Sequence, residues 1–185
     1  MRKLIMWNMV TLDGFFEGTQ PWDIDFHSTG WGEELQRFSS EQMSAADLVL
    51  FGRLTYEGMA KYWPGATGET ADRMNGIQKV VFSRTLTSAD WANSRLVSTD
   101  AADEVARLKR EPGNDILVFG SADLCASLTR AGLIDEYRIA VNPIVLGQGN
   151  PLFKSGTGQM KMRLLQARPL QTGAVLLFYA PEPAA

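Results

Sequence analysis

The chain of 185 residues contains one cysteine and one histidine. The lone thiol, Cys125, has no intrachain disulfide partner and falls inside a helical pattern, so it reads as a packed, inert side chain. With His27 alone and no clustered Cys or carboxylate spacing, the ligand set of a metal site is missing and metal catalysis is set aside. Positive charge is also scarce. The 18 Lys and Arg stand against 21 Asp and Glu, for a net charge of −3 with no basic stripe, so nucleic acid is not an expected partner. No apolar run reaches membrane length. Residues 1–10 place two basic residues before an apolar run, but the run is too short for a signal peptide and no small-residue cleavage site precedes Asp13. A first buried strand accounts for it, and a cytoplasmic protein without a membrane partner is the expectation.

The remainder is ordinary globular composition, 45% hydrophobic and 21% charged, enough to bury one core without disulfides or metal. One domain over residues 1–185 is expected. Apolar runs at 4–10, 48–51, 79–82, 95–97, 115–119 and 135–141 alternate with helical patterns, and this order predicts a mostly parallel sheet joined by right-handed crossovers. Trp31, Leu35 and Phe38 form one helical stripe, with Glu33, Glu34, Gln36 and Arg37 on the solvated side. A second helix runs from Thr55 toward Trp63, where Pro64-Gly65 stops it, and a mixed polar stretch follows. Thr99 or Asp100 caps a third helix through Ala101, Val105 and Leu108. A fourth begins at Ala122 and closes at Ala131-Gly132. Residues 17–30 show little periodicity and read as a long loop, fixed at Pro21-Trp22 and otherwise free to act as a lid. At the carboxyl end, 162–167 and 174–179 predict an antiparallel hairpin on one edge. The last strand alternates little, so both its faces are covered, by the core or by a second subunit; a homodimer is expected.

Three strand ends carry the functional signal. Asp115-Ile116-Leu117-Val118-Phe119 stops on Gly120-Ser121-Ala122 and passes into a helix at Asp123-Leu124. Asp47-Leu48-Val49-Leu50-Phe51 stops on Gly52-Arg53, with Thr55 opening the next helix. Val80-Val81-Phe82 stops on Ser83-Arg84. A helix N-terminus offers unpaired N–H groups and the positive end of the peptide dipoles, and small residues let a bulky anion approach. If the strands are parallel neighbours, their carboxyl ends share the sheet edge where open α/β folds bind ligands. One long phosphorylated ligand could span all three. The plainer alternative is that each glycine ends a strand and each hydroxyl caps a turn.

In that order, Thr11-Leu12-Asp13-Gly14, 50–57, 79–84, 118–122, 133–137 and 143–149 make the chain resemble the dihydrofolate reductase-like superfamily. The likeness is greatest to the reductase domain of the bifunctional riboflavin-biosynthesis deaminase-reductase and its stand-alone relatives. The resemblance implies a three-layer α/β/α fold, NADPH as cofactor and hydride transfer to a small-molecule pyrimidine or pteridine-like ring, as in 5-amino-6-(5-phosphoribosylamino)uracil reductase. It assigns Gly52, Arg53 and Thr55 to cofactor phosphate, Ser83 and Arg84 to the adenosine phosphate, and Gly120, Ser121, Ala122, Asp123 and Leu124 to the pyrophosphate. The usual double glycine is broken by Ser121. Gln36 falls where folate reductases carry a carboxylate and cannot ionise, which argues against a folate reductase proper.

Asp13 is the candidate acid, a strand-end carboxyl whose pKa an apolar cleft would raise; alternatively it is a turn aspartate holding backbone N–H groups. Thr11 is placed beside the nicotinamide, and Trp22 either covers that ring or is an anchored loop aromatic. No cation is assigned to a substrate phosphate, and no deaminase zinc motif is present. The rival readings are a non-catalytic nucleotide-binding dimer and a protein that binds another phosphorylated metabolite.

Overall fold

The computed structural model describes residues 1–182, and the last three residues of the expected 1–185 unit lie outside them. Its centre is strand β1 (Leu4–Thr11), buried at all eight positions. On its two sides lie β6 (Asp115–Phe119) and β7 (Glu136–Asn142), both parallel to it. Next come β3 (Ala46–Gly52), β4 (Gln78–Phe82) and β5 (Ser94–Val97), also parallel, in the order β5-β4-β3-β6-β1-β7. Parallel strands need crossovers, and the helices that supply them cover both faces. On one face, α5 (Ala101–Arg110) and α6 (Ala122–Arg130) set Val105, Leu108, Leu124 and Leu128 against Leu50 and Val118. On the other, α2 (Glu33–Ala45), α3 (Arg53–Tyr62) and α4 (Glu69–Gly76) bring Leu35, Phe38, Met43, Tyr56 and Met74 onto Val49, Phe51 and Trp7. Truncating any one of these core leucines to alanine costs about 2–5 kcal/mol.

The sheet ends on two antiparallel strands, β9 (Met162–Pro169) and β10 (Val175–Pro181), as the sequence predicts. β10 lies inside, between β7 and β9, which explains its poor alternation: Leu176 and Phe178 pack with Leu35 and Phe38 while its other face is half-buried. The edge strand at this end of the sheet is therefore β9, where Leu164 and Leu165 are exposed.

Three segments depart from the sequence expectation. The 17–30 loop is shorter than it reads, because β2 (Phe15–Glu17) pairs with β8 (Asn150–Pro151) and α1 (His27–Gly30) closes its far end. Trp31 precedes α2 rather than opening it, and is 47% exposed. The mixed polar stretch contains α4, whose apolar side is only Ala71 and Met74. That stripe is too thin to signal a helix by itself, and burial against the sheet supplies what periodicity does not. Lys79, in β4 and 1% exposed, donates to the carbonyls of Asn75 and Ile77 at the end of α4, at 3.2 and 2.8 Å, and to that of Ala92 before β5, at 3.0 Å. Burial pulls its pKa down to about 8.

Candidate functional site

β3 and β6 are neighbours, so their two glycine turns meet at the carboxyl edge of the sheet. Gly120 and Ser121 are consecutive left-handed residues, with φ +62° and +55°. A side chain at Gly120 would place its Cβ 2.7 Å from Thr55 Cγ2, closer than real contacts allow, and only glycine takes the backbone angle without penalty. Ser121 accepts that penalty and makes two cross-turn bonds. Its Oγ accepts from the N–H of Gly52 at 2.8 Å, and its N–H donates to Thr55 Oγ1 at 2.8 Å. The Gly120 N–H donates to Asn8 Oδ1 at 2.7 Å.

These bonds correct one expectation. The N–H groups of Gly52, Gly120 and Ser121 are spent inside the protein and are not offered to a phosphate. What they secure is the helices that follow. Neither α3 nor α6 has a side-chain cap, so the N–H groups of their first turns, at Arg53, Leu54 and Thr55 and at Ala122, Asp123 and Leu124, have no intrahelical partner. Both sets of residues line one cavity of about 470 Å³. Two dipole ends therefore converge where an anion would sit. Arg53 stands at this rim, half-exposed and held by Glu57 at 3.1 Å.

From the turns the cavity runs between α2 and α3. Trp7 of β1 and Phe119 of β6, register partners, line it together with Ser39 and Met43 of α2 and Met59 of α3. Trp22, Ile24, His27 and Trp31 close the side toward the 17–31 segment. Trp22 is anchored: its φ is +66°, its Nε1 donates to Leu54 O at 3.2 Å and its ring lies where a side chain on Gly58 would have to go, while the residue also lines the cavity.

Two lining groups carry buried polar atoms without a partner, Asn8 Nδ2 and His27 Nε2. Because Asn8 Oδ1 is committed to Gly120, its Nδ2 is fixed as a donor. Burial pulls the His27 pKa down to about 4, so the imidazole is neutral near pH 7. Cys125 is buried, and desolvation pushes its thiol up to about 12; it behaves as an apolar side chain. The sequence reading passed over Asn8, whose signal is an amide inside the apolar run of β1; His27, Ser39, Met59 and Met74 gave no local signal.

Thr11, Asp13, Ser83 and Arg84 do not line this cavity. Thr11 Oγ1 donates to Asp13 Oδ1 at 2.6 Å and accepts from Phe15 N, so its hydroxyl belongs to the turn rather than to a ligand. Asp13 also accepts from Leu146 N and Gly147 N, which ties the turn to the 143–149 segment. The hydrogen bond from Thr11 above all, then those from the backbone, holds its carboxyl below the usual carboxylate range. The expected rise in pKa is reversed because Asp13 sits in solvent among donors rather than in an apolar cleft. The turn-aspartate reading is the one the geometry matches. Ser83 likewise closes its own turn, accepting from Thr85 N and Leu86 N. Arg84 is exposed and makes no ion pair among the described residues. Glu34 accepts from Gln171 N, while Glu33 and Gln36 are exposed.

A three-layer α/β/α sandwich with its cavity at the carboxyl edge of a mostly parallel sheet is the dihydrofolate reductase-like fold. It is shared with a dihydrofolate reductase from Enterococcus faecalis complexed with NADP(H), at a TM-score of 0.64 and 11% identity over 97% of this chain and 96% of that one. The chain belongs to the RibD C-terminal domain family, which matches residues 2–176, a family of pyrimidine reductases. It is 30% identical to the uncharacterized protein YyaP of Bacillus subtilis, over 96% of this chain and 94% of the relative. In structure it is similar to a putative riboflavin biosynthesis protein from Shewanella sp. PV-4, with a TM-score of 0.81 and 20% identity over 97% and 99% of the two chains. A diaminohydroxyphosphoribosylaminopyrimidine deaminase/5-amino-6-(5-phosphoribosylamino)uracil reductase from Thermotoga maritima gives a TM-score of 0.66 and 13% identity, over 98% of this chain and 57% of that one. No helix among the described residues is long and apolar enough to cross a membrane, and no cluster there could hold a metal ion.

Proposed function

We propose that the chain is an NADPH-dependent reductase that passes hydride to a pyrimidine or pteridine-like ring. The observation that carries this reading is the convergence of two uncapped helix N-termini on an aromatic cavity, braced by Asn8, Thr55 and Ser121. When bound, the nicotinamide supplies the hydride. The first turns of α3 and α6 hold the cofactor's pyrophosphate. Arg53 takes the 2′-phosphate, with Arg84 one strand further along the edge as an outer contact. Charge-assisted bonds of about 1.5–3 kcal/mol each make the preference for NADPH over NADH about tenfold or more. Trp7 and Phe119 align the ring and exclude water on one side, and the 17–31 segment covers the other. Asp13 keeps its charge and His27 is neutral, so the proton that accompanies hydride reaches the ring from solvent.

The test is a titration with NADPH and NADH that follows tryptophan quenching. Selective NADPH binding supports the reading, and binding of neither cofactor removes it. The open β9 edge, with Leu164 and Leu165 exposed, is where we place the homodimer contact; sedimentation of wild type against Leu164→Lys decides it.

A further inference from the structure

A chain of side-chain contacts runs along the wall of the cavity from α3 to α6. It starts at Trp22, whose left-handed backbone, φ +66°, persists in a non-glycine residue only where the surroundings over-determine it. Three contacts do so. The Trp22 N–H donates to Glu17 Oε2 at 3.0 Å, Nε1 donates to Leu54 O of α3 at 3.2 Å, and the ring fills the space beside Gly58. The first of these reaches the backbone itself, so it fixes the turn only while the Glu17 carboxylate is held in place. Glu17 makes no ion pair among the described residues. It is held from β8 instead. Glu17 and Asn150 are register partners, and Asn150 Nδ2 donates to Glu17 Oε1 at 2.6 Å. A ladder this short holds little by itself.

Lys154 completes the chain. Its ammonium donates to Asn150 Oδ1 and stands 3.6 Å from Asp123 Oδ1 in the first turn of α6. Its carbonyl accepts from Thr157 N and Oγ1 at 3.3 and 2.7 Å, so the side chain rises from a closed turn. An amide that accepts from an ammonium at one end and donates to a carboxylate at the other has a single orientation, and each bond polarises the next. The Lys154 side chain is 24% exposed against 90% for Asp123, so Asn150 places the ammonium and Asp123 is a loose outer tie. We infer that Lys154 is a positioning residue: acting through Asn150 and Glu17, it holds Trp22 in its seat on α3 as one wall of the cavity. Resting on the reductase reading, a ring that enters then meets an indole face already in place, and binding pays less to order it.

The experiment follows the Trp22 indole N–H in the ¹H–¹⁵N spectrum of the full chain without ligand, assigned by its loss in Trp22→Phe. In Lys154→Met its exchange with solvent should quicken about tenfold while the other indoles keep their rates. Lys154→Arg retains a donor and should restore the wild-type rate. Asn150→Ala, one link nearer Trp22, should act like Lys154→Met, and the double variant should go no further than either single one. An unchanged Trp22 rate in Lys154→Met, an equal rise at every indole, no rescue by arginine, or additive effects would each overturn the inference. In NADPH titrations read by nicotinamide emission, Lys154→Met should bind about fivefold more weakly than wild type; equal affinity overturns the positioning role. The exchange measurement needs no cofactor, so failure of the wild type to bind NADPH removes the reductase reading and leaves Lys154 to be judged by exchange.

Discussion

Two of the three strand-end turns are built into each other, and the third is closed on itself. At Gly52 and Gly120, hydrogen bonds cross from one turn to the next through Ser121 and Thr55 and reach β1 through Asn8. At Ser83 the hydroxyl accepts only from the next residues of its own segment. In sequence all three are an apolar run ending on small or hydroxyl residues. The difference comes from neighbourhood: β3 and β6 are adjacent and both lead into helices facing the cavity, whereas β4 lies one strand farther out and leads into a turn. A phosphate-turn pattern thus reports a strand end, and the adjoining strand decides whether that end becomes part of a site.

The strongest way to break this contrast is Gly120→Ala. A Cβ at φ +62° and 2.7 Å from Thr55 combines left-handed strain with overpacking, so unfolding free energy should fall by about 2–5 kcal/mol. NADPH affinity should fall by about a hundredfold. A variant as stable as wild type in urea would show that the two turns are not mechanically joined.

Next in size is the lid side of the cavity, read through His27. Its folded pKa of about 4 lies below the usual 6.5. The unfolded chain therefore takes up a proton first as pH falls, and stability is lost between pH 6.5 and 4, by up to ~3 kcal/mol. His27→Phe should flatten that loss in denaturation curves at pH 7 and pH 4.5. An unchanged slope would assign the acid sensitivity to another group.

The direct comparison of turns comes from the two serines. Ser121→Ala leaves the Gly52 N–H without its acceptor and should cost about 1–2 kcal/mol, with weaker NADPH binding. Ser83→Ala should cost about 0.5–1 kcal/mol and leave NADPH binding as it was. Equal effects on the cofactor would erase the distinction. Smallest are the arginines. Arg53→Gln should reduce the NADPH-to-NADH preference about tenfold, and Arg84→Gln, at an exposed position, about threefold or less. The reverse order in paired titrations would move the 2′-phosphate to the third turn.

Most of the architecture was legible because parallel strands buried on both faces leave long apolar runs, and because Gly and Pro mark their ends. α4 was not, since Ala71 and Met74 are its only buried residues. At the site, Gly52, Arg53, Thr55 and residues 120–124 were legible as strand ends that lead into helices along one edge of the sheet. Asp13 was legible as one of two alternatives, a turn aspartate, but its partners at Leu146 and Gly147 were not, because they lie more than 130 residues away. His27, Ser39 and Met74 reach the cavity from three separate elements.

By itself, the order of apolar runs and punctuating residues determined the sheet, its crossovers and the edge where helix ends gather, because these depend on local periodicity and short connections. Tertiary structure alone decided which N–H groups stay open, that Asp13 ties its turn to the 143–149 segment, and that the cavity is walled by aromatic side chains. Those properties belong to pairs of groups that meet only after the strands have chosen their neighbours.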